Sequence, residues 1–258
     1  MTHACLARSA GLAAGEIHVW NARIDHDDHR ATADSLRMLD HGEQARAAQF
    51  SSERDRARFI QTHGMLRQVL AGYCDADCAS LTFASNCHGK PFLASPANGH
   101  DLQFSLAHSG SRCLLALRRE QAIGVDLEQL RELPRALEIA RSRFTAAESA
   151  ALAALRGTRR RDAFFVLWVH KEAMVKALGI DLAHGLGRIE FELDAPAEPR
   201  LRAYGQGSSI AQSWSVLRLD PAPGYTAALA SPPPIGPVIL QDWEVGQRGQ
   251  RISPSLRL

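Results

Sequence analysis

Long apolar runs are missing from this 258-residue sequence, and with them the stretch of about 20 residues that a membrane-spanning helix needs. The N-terminus, Met1-Thr2-His3-Ala4-Cys5, lacks a signal-peptide core, so the expected compartment is the cytoplasm. Net charge is missing too. Thirty Lys and Arg stand against 28 Asp and Glu, a formal +2, so no whole-molecule field draws the chain to nucleic acid or a membrane. The five cysteines (Cys5, Cys74, Cys78, Cys87 and Cys113) are odd in number and contain no Cys-x-x-Cys pair. That argues against a disulfide framework and fits a reducing environment. Cys74, Cys78, Cys87 and His88 lack zinc-ligand spacing. The Gly-Lys-Ser/Thr phosphate loop, the Rossmann glycine fingerprint, His-Glu-x-x-His and the Gly-x-Ser-x-Gly elbow are all absent, which removes the chemistries those motifs carry.

What is present suits one large or two small globular domains, at 45% hydrophobic and 22% charged residues. Residues 1–15 read as a loose leader and residues 17–20 as a short strand. A helical pattern covers residues 43–73, where Phe59, His63, Leu66, Leu70 and Tyr73 recur at helical spacing. Gly89-Lys90-Pro91 signals a turn. Strands are expected at 81–83, 102–106, 112–117 and 123–128, with residues 107–111 as the turn between the middle two. Helices are expected at 137–144, from Thr145 onward, and at 161–178, the last stopping at Gly179. Strands return at 188–193, 214–219 and 225–230, and Ser231-Pro232-Pro233-Pro234 opens an extended tail. Each half has a long helix followed by strand–turn–strand, so two related α+β halves dividing near residue 120 are expected.

Five places offer chemistry, each with two readings. In Ile123-Gly124-Val125-Asp126-Leu127-Glu128, strand alternation puts Asp126 and Glu128 on one face. Side by side they repel, so they either sit at a solvated strand end or receive a hard divalent cation such as Mg²⁺. Glu172 and Lys176 lie four apart on a helix, as a surface ion pair or as a metal ligand and a phosphate-binding ammonium. Lys171 beside them is expected to point to solvent. His108 is either structural or, next to Ser109 and Gly110, a phosphate contact. Arg46, Arg54, Arg58 and Lys90 form a solvated basic face or hold a phosphate-rich coenzyme. Glu148 completes a capping box with Thr145 or serves as a general base.

Four segments then fall in a known order. Gly89-Lys90-Pro91, Phe104-Ser105-Leu106-Ala107-His108-Ser109, Gly124 to Glu128, and Trp168 to Lys176 with Gly179 resemble the larger 4′-phosphopantetheinyl transferases over residues 43–195. The resemblance implies an α+β fold of two similar halves, residues 1–120 binding coenzyme A and 121–258 binding Mg²⁺, with the active site between them. It implies transfer of the phosphopantetheine arm from coenzyme A to a serine of an acyl or peptidyl carrier protein of polyketide or non-ribosomal peptide synthesis, by a monomer without nucleic acid or membrane. It assigns Asp126, Glu128 and Glu172 to Mg²⁺, and Lys176 and His108 to the reacting phosphates. It places Lys90, Arg58 and Arg46 at the adenosine end, and Glu172 or Glu148 as base. The sequence departs from the family's pattern at Ala107, where relatives often have serine. It departs again at Glu43, where some have a basic residue, and at Val169, where a small polar residue is usual. Two other readings are a different Mg²⁺-dependent phosphotransferase or nucleotide hydrolase, and a non-catalytic coenzyme A-binding module.

Overall fold

Strand alternation and helix-terminating residues translate into a mixed α/β chain. The computed structural model describes residues 11–95, 101–193, 199–205 and 213–243. In chain order its elements are β1 (Ile17–Arg23), α1 (His29–Leu36), α2 (His41–Ala48), α3 (Glu53–Cys74), β2 (Thr82–Ser85), β3 (Pro91–Ser95), β4 (Leu102–Ser109), β5 (Arg112–Arg119) and β6 (Gly124–Gln129). There follow α4 (Ala136–Arg143), α5 (Ala146–Ala154), α6 (Gly157–Leu178), α7 (Leu182–Gly185), β7 (Ile189–Glu192), β8 (Arg200–Tyr204), β9 (Ser215–Leu219), β10 (Tyr225–Ser231) and β11 (Val238–Trp243). Residues 1–10 of the expected leader, Cys5 included, and residues 244–258 of the expected tail lie outside the described residues.

The chain divides into two units. The first comprises residues 1–85, 91–120 and 236–258, the second residues 86–90 and 121–235. The turn near residue 120 therefore does separate them, but two short segments cross the expected boundary. The tail is one: β11 pairs parallel with β1, from Ile17↔Val238 to Ala22↔Trp243. Proline breaks the chain before β11, not within it, so a strand is free to form.

In the first unit a four-stranded sheet runs β11-β1-β5-β4. Helix α3 contributes Met65, Leu66, Val69 and Leu70 to a core shared with Trp20, Phe104, Leu115, Leu117 and Trp243. The helical stretch expected at 43–73 is two helices, because Ser52 accepts from the Asp55 N–H and caps α3. The β4–β5 hairpin is longer than expected. Strand pairing reaches Ser109↔Arg112, so His108 belongs to a strand and Gly110, at φ 56°, makes the turn with Ser111.

In the second unit a three-stranded sheet runs β6-β10-β9, and α6 packs on it. Two sequence features allow this. The central strand β10 is Ala-rich at Ala227, Ala228 and Ala230, all 0% exposed. Gly124 on β6 has no side chain where a Cβ would stand 2.0 Å from the Ala173 carbonyl oxygen and 2.4 Å from the Ala177 nitrogen. Helix α6 can thus approach the sheet closely, and it ends as expected at Gly179, whose φ of 64° is left-handed.

Candidate functional site

Close packing of α6 on β6 brings two acids and a base together. Asp126 is 5% exposed on β6. Lys176, on the last turn of α6, donates to Asp126 Oδ1 at 2.6 Å, and Glu172 Oε2 lies 3.9 Å from the same ammonium. The second carboxylate oxygen of Asp126, Oδ2, is buried without a hydrogen-bond partner. Such an oxygen is costly unless a cation or donor reaches it.

Electrostatics report the crowding. Burial raises the Asp126 pKa, and Glu128 adds to the rise while Lys176 opposes it. Glu172 is pushed up to about 7 by burial first, then by Asp126, with Glu128 contributing and the Trp168 hydrogen bond working the other way. Burial opposes charge on Lys176, but Asp126, Glu172 and Glu128 outweigh it and raise its pKa. Glu128 itself turns to Arg131 at 2.9 Å. Two cations therefore face three carboxylates, and one buried oxygen is left over.

The expected Mg²⁺ ligands have other partners in this arrangement. Among the described residues no three His, Cys, Asp or Glu side chains already stand as the ligands of one ion. Lys176 lies against Asp126 and Glu172, and Glu128 is held by Arg131. The donor set nonetheless suits Mg²⁺, which takes one or two protein carboxylates and completes its shell with water and substrate oxygens. The orphaned Asp126 oxygen and the excess negative charge are what such an ion would neutralise.

Glu148 keeps one of its two expected roles and loses the other. Its carboxylate is 1% exposed and saturated. Lys171 donates to both oxygens, at 2.8 and 2.6 Å, and the backbone N–H groups of Thr145 and Phe191 donate at 2.8 and 2.9 Å. The capping box is present. No lone pair faces a substrate, so the base reading fails on geometry. Lys171 also reverses expectation: it is 0% exposed and also donates to the Ile189 carbonyl. Local spacing pointed it outward, and only its partner 23 residues away reveals the inward course.

Lys90 sits in the turn 86–90 of the second unit. Its ammonium donates to the Ile123 and Ala177 carbonyls at 3.1 and 3.3 Å, and burial lowers its pKa to about 8. Asn86, which sequence reasoning passed over, holds this turn. It accepts from the His88 and Lys90 N–H groups, both at 2.9 Å, and donates to the Gly179 carbonyl at 2.9 Å. Its position four residues before Lys90 in a Gly-containing turn was the available signal.

The remaining expected residues lie in the first unit. His108 is exposed near the end of β4, opposite Cys113. Arg58 pairs with Asp55, and Arg46 stands over the Phe59 ring at 5.3 Å. Two departures from the family's pattern acquire reasons here. Glu43 completes a capping box with Asp40 and also binds His63 and Arg67, a task a basic residue could not perform. Ala107 is 5% exposed, in a position where a hydroxyl would need a buried partner.

An α+β protein of two units, with a cation-seeking carboxylate group between a strand and a helix, has a donor set of the kind phosphate-handling enzymes use to hold Mg²⁺. Comparison narrows the class. A family model of the 4′-phosphopantetheinyl transferase superfamily matches residues 122–230, and one of the 4′-phosphopantetheinyl transferase N-terminal region matches residues 27–120. The 4′-phosphopantetheinyl transferase HetI of Nostoc sp. is 33% identical over 219 residues, covering 85% of this chain and 89% of that protein. The 4′-phosphopantetheinyl transferase Sfp of Bacillus subtilis is 28% identical over 160 residues, covering 58% of this chain and 69% of Sfp. A solved holo-(acyl-carrier-protein) synthase from Bacillus anthracis, in complex with CoA (3′,5′-ADP), is similar at TM-score 0.35 and 20% identity, over 43% of this chain and 94% of that one. This chain belongs to the 4′-phosphopantetheinyl transferase family.

Proposed function

We propose that the protein transfers the 4′-phosphopantetheine group of coenzyme A to a serine of an acyl or peptidyl carrier protein, releasing adenosine 3′,5′-bisphosphate, with Mg²⁺ as the required cation. The observation that carries this reading is the unbalanced carboxylate group around Lys176, with its orphaned Asp126 oxygen, in a chain of this family. Asp126 and Glu172 are the residues that would hold the ion, with Glu128 beside them. A bound Mg²⁺ supplies Lewis-acid neutralisation of the pyrophosphate.

The chain's own groups do the rest. Lys176, fixed by Asp126, offers its remaining N–H donors to phosphate oxygens. Serine is a weak nucleophile at neutral pH and needs a base. Glu172, beside the ion and the reacting phosphate, is the carboxylate placed to take the hydroxyl proton, directly or through a water. As the serine oxygen bonds to the phosphorus attached to pantetheine, the bond from that phosphorus to the bridging oxygen breaks, and the nucleotide leaves. Lys90 uses two of its three donors on carbonyls and keeps one for a phosphate at the adenosine end. His108, Arg58 and Arg46 remain candidate phosphate contacts by residue type.

For the carrier, a cavity of about 320 Å³ in the second unit has Leu133, Pro134 and Leu137 on its wall and Arg160 and Arg161 beside them. An apolar anchor of a carrier fits that wall, where Glu132 already pairs with Arg161 at 3.1 Å. Phe164 and Phe165 are each 2% exposed and are excluded from such a contact. Arg141 and Arg143 are exposed and available to it. Carriers of polyketide or non-ribosomal peptide synthesis, a cytoplasmic setting and a monomeric state complete the proposal. Among the described residues no helix is long and apolar enough to cross a membrane.

The test is mass spectrometry of a panel of apo-carrier domains incubated with the protein, coenzyme A and Mg²⁺. A gain of one phosphopantetheine arm on a carrier serine is expected. Adenosine bisphosphate released without any carrier would favour a nucleotide hydrolase. Tight coenzyme A binding with no transfer would favour a binding module.

A further inference from the structure

We infer that Glu148 and Lys171 form a positioning pin that sets the roll of helix α6, and that neither takes part in proton transfer. The inference deepens the transferase reading and rests on it.

Buried residues on α6 do not define one face. Phe164, Phe165, Val169, Ala173 and Met174 are buried at positions spread around the helix. Apolar packing is non-directional, so it holds such a helix in place without strongly fixing its rotation. Directional bonds must do that. Lys171 spends all three ammonium donors: two on the Glu148 oxygens, at 2.8 and 2.6 Å, and one on the Ile189 carbonyl. Glu148 in turn is held by Thr145 N–H at the start of α5 and Phe191 N–H on β7. The Phe144 ring closes over the ammonium at 5.1 Å. One side chain thus ties α6 to two neighbouring elements in the dry interior.

The consequence falls one residue on. Glu172 follows Lys171 by about 100° of helix rotation, and Lys176 lies one turn beyond Glu172 on the same face. Fixing the direction of Lys171 fixes theirs. The 2.6 Å contact between Lys176 and Asp126 depends on that roll. Catalytic constellations tolerate errors of only about 0.5 Å, so a helix free to roll would not serve.

The test compares Glu148→Gln, Lys171→Gln and the double variant in the full-length protein. The double variant keeps hydrogen-bonding atoms at both positions without burying a charge, so it folds where a single variant does not. Two readouts are taken: kcat and KM for transfer from coenzyme A, and the rate at which acetic anhydride modifies Lys176, followed by peptide mass spectrometry. Each folded single variant is expected to lose about 10²-fold in kcat with little change in KM. Its Lys176 should be acetylated several-fold faster than in the parent. The double variant should recover at least about tenfold of the lost kcat and regain slow acetylation. A folded double variant that stays inactive while Lys176 is as protected as in the parent would show that Glu148 acts in the chemistry, and would overturn the inference. Single variants with parental kcat and parental acetylation would overturn it as well. If the parent transfers nothing to any carrier, the transferase reading fails separately, while the acetylation rates still report on the pin.

Discussion

The charges buried around Arg67 in the first unit and those around Asp126 in the second are built to opposite standards. In the first unit Arg67 is 0% exposed, and its guanidinium reaches Glu43, Asp40 and the Cys78 and Leu81 carbonyls, with the Phe83 ring alongside at 5.2 Å. Glu43 passes its other oxygen to His63 at 2.9 Å, and despite the opposing effect of burial these partners lower its pKa. In the second unit Asp126 keeps an unpaired oxygen, and the pKa values of Asp126 and Glu172 are raised. A saturated cluster holds a fold together. An unsaturated one, with like charges crowded and one partner short, stores binding capacity for something that arrives later.

The contrast breaks most decisively at Asp126. Asp126→Asn should lower transfer by about 10³-fold or more, equivalent to about 4 kcal/mol of transition-state stabilisation. The melting temperature should change little, because the lost ion pair with Lys176 is set against the removal of a buried charge crowded by Glu172 and Glu128. Steady-state kinetics and thermal melts on one preparation check both halves. Parental turnover would remove Asp126 from the site. A large fall in stability would mean that the carboxylate is structural, as in the other cluster.

Arg67→Met should behave in the opposite way. Removing one partner of a buried ion pair costs about 3–5 kcal/mol. The low end is expected, since the Asp40 side chain is 42% exposed and can rehydrate. Chemical denaturation would measure the loss, and kcat below the melting transition should be nearly unchanged. A kcat loss without a stability loss would reverse the roles assigned to the two clusters.

Sequence reasoning reached the second cluster because its parts are local. Asp126 and Glu128 share a face by strand alternation, Glu172 and Lys176 by helix spacing, and Gly124 marks the close approach that lets the two elements meet. It failed where a partner lies far along the chain. Lys171 and Glu148 are 23 residues apart, so the lysine read as solvated and the base role stayed open for the glutamate beside its capping role. The division near residue 120 was legible, but the return of β11 to β1 was not, since six residues after a Pro-rich stretch carry too little periodicity to identify a strand. The break at Ser52 was missed because the periodic residues that define the helix, Phe59 to Tyr73, all lie after it, and only the cap marks where α3 begins. The capping box at Thr145 was read correctly because its whole chemistry spans three residues.

The smallest expected effect lies at Lys90, where the comparison sharpens. This ammonium is neither saturated like Arg67 nor crowded by like charge. Burial lowers its pKa to about 8 from 10.5, and its two carbonyl partners do not reverse the shift. Between those two values the unfolded chain binds more protons at this site than the folded protein, so stability rises with pH across that window. Below about pH 8 the cost of burying the charge is present in full; above the unfolded value it is gone. Other lysines titrate in the same range, so the quantity to measure is the difference in melting temperature between the parent and Lys90→Met. That difference should move in the parent's favour from pH 7.5 to pH 10, by a few degrees at most. A difference that moves the other way would mean that the Ile123 and Ala177 carbonyls hold the ammonium more strongly than burial expels it. Lys90 would then belong with the saturated charges, and its spare donor would be the weaker candidate for a phosphate.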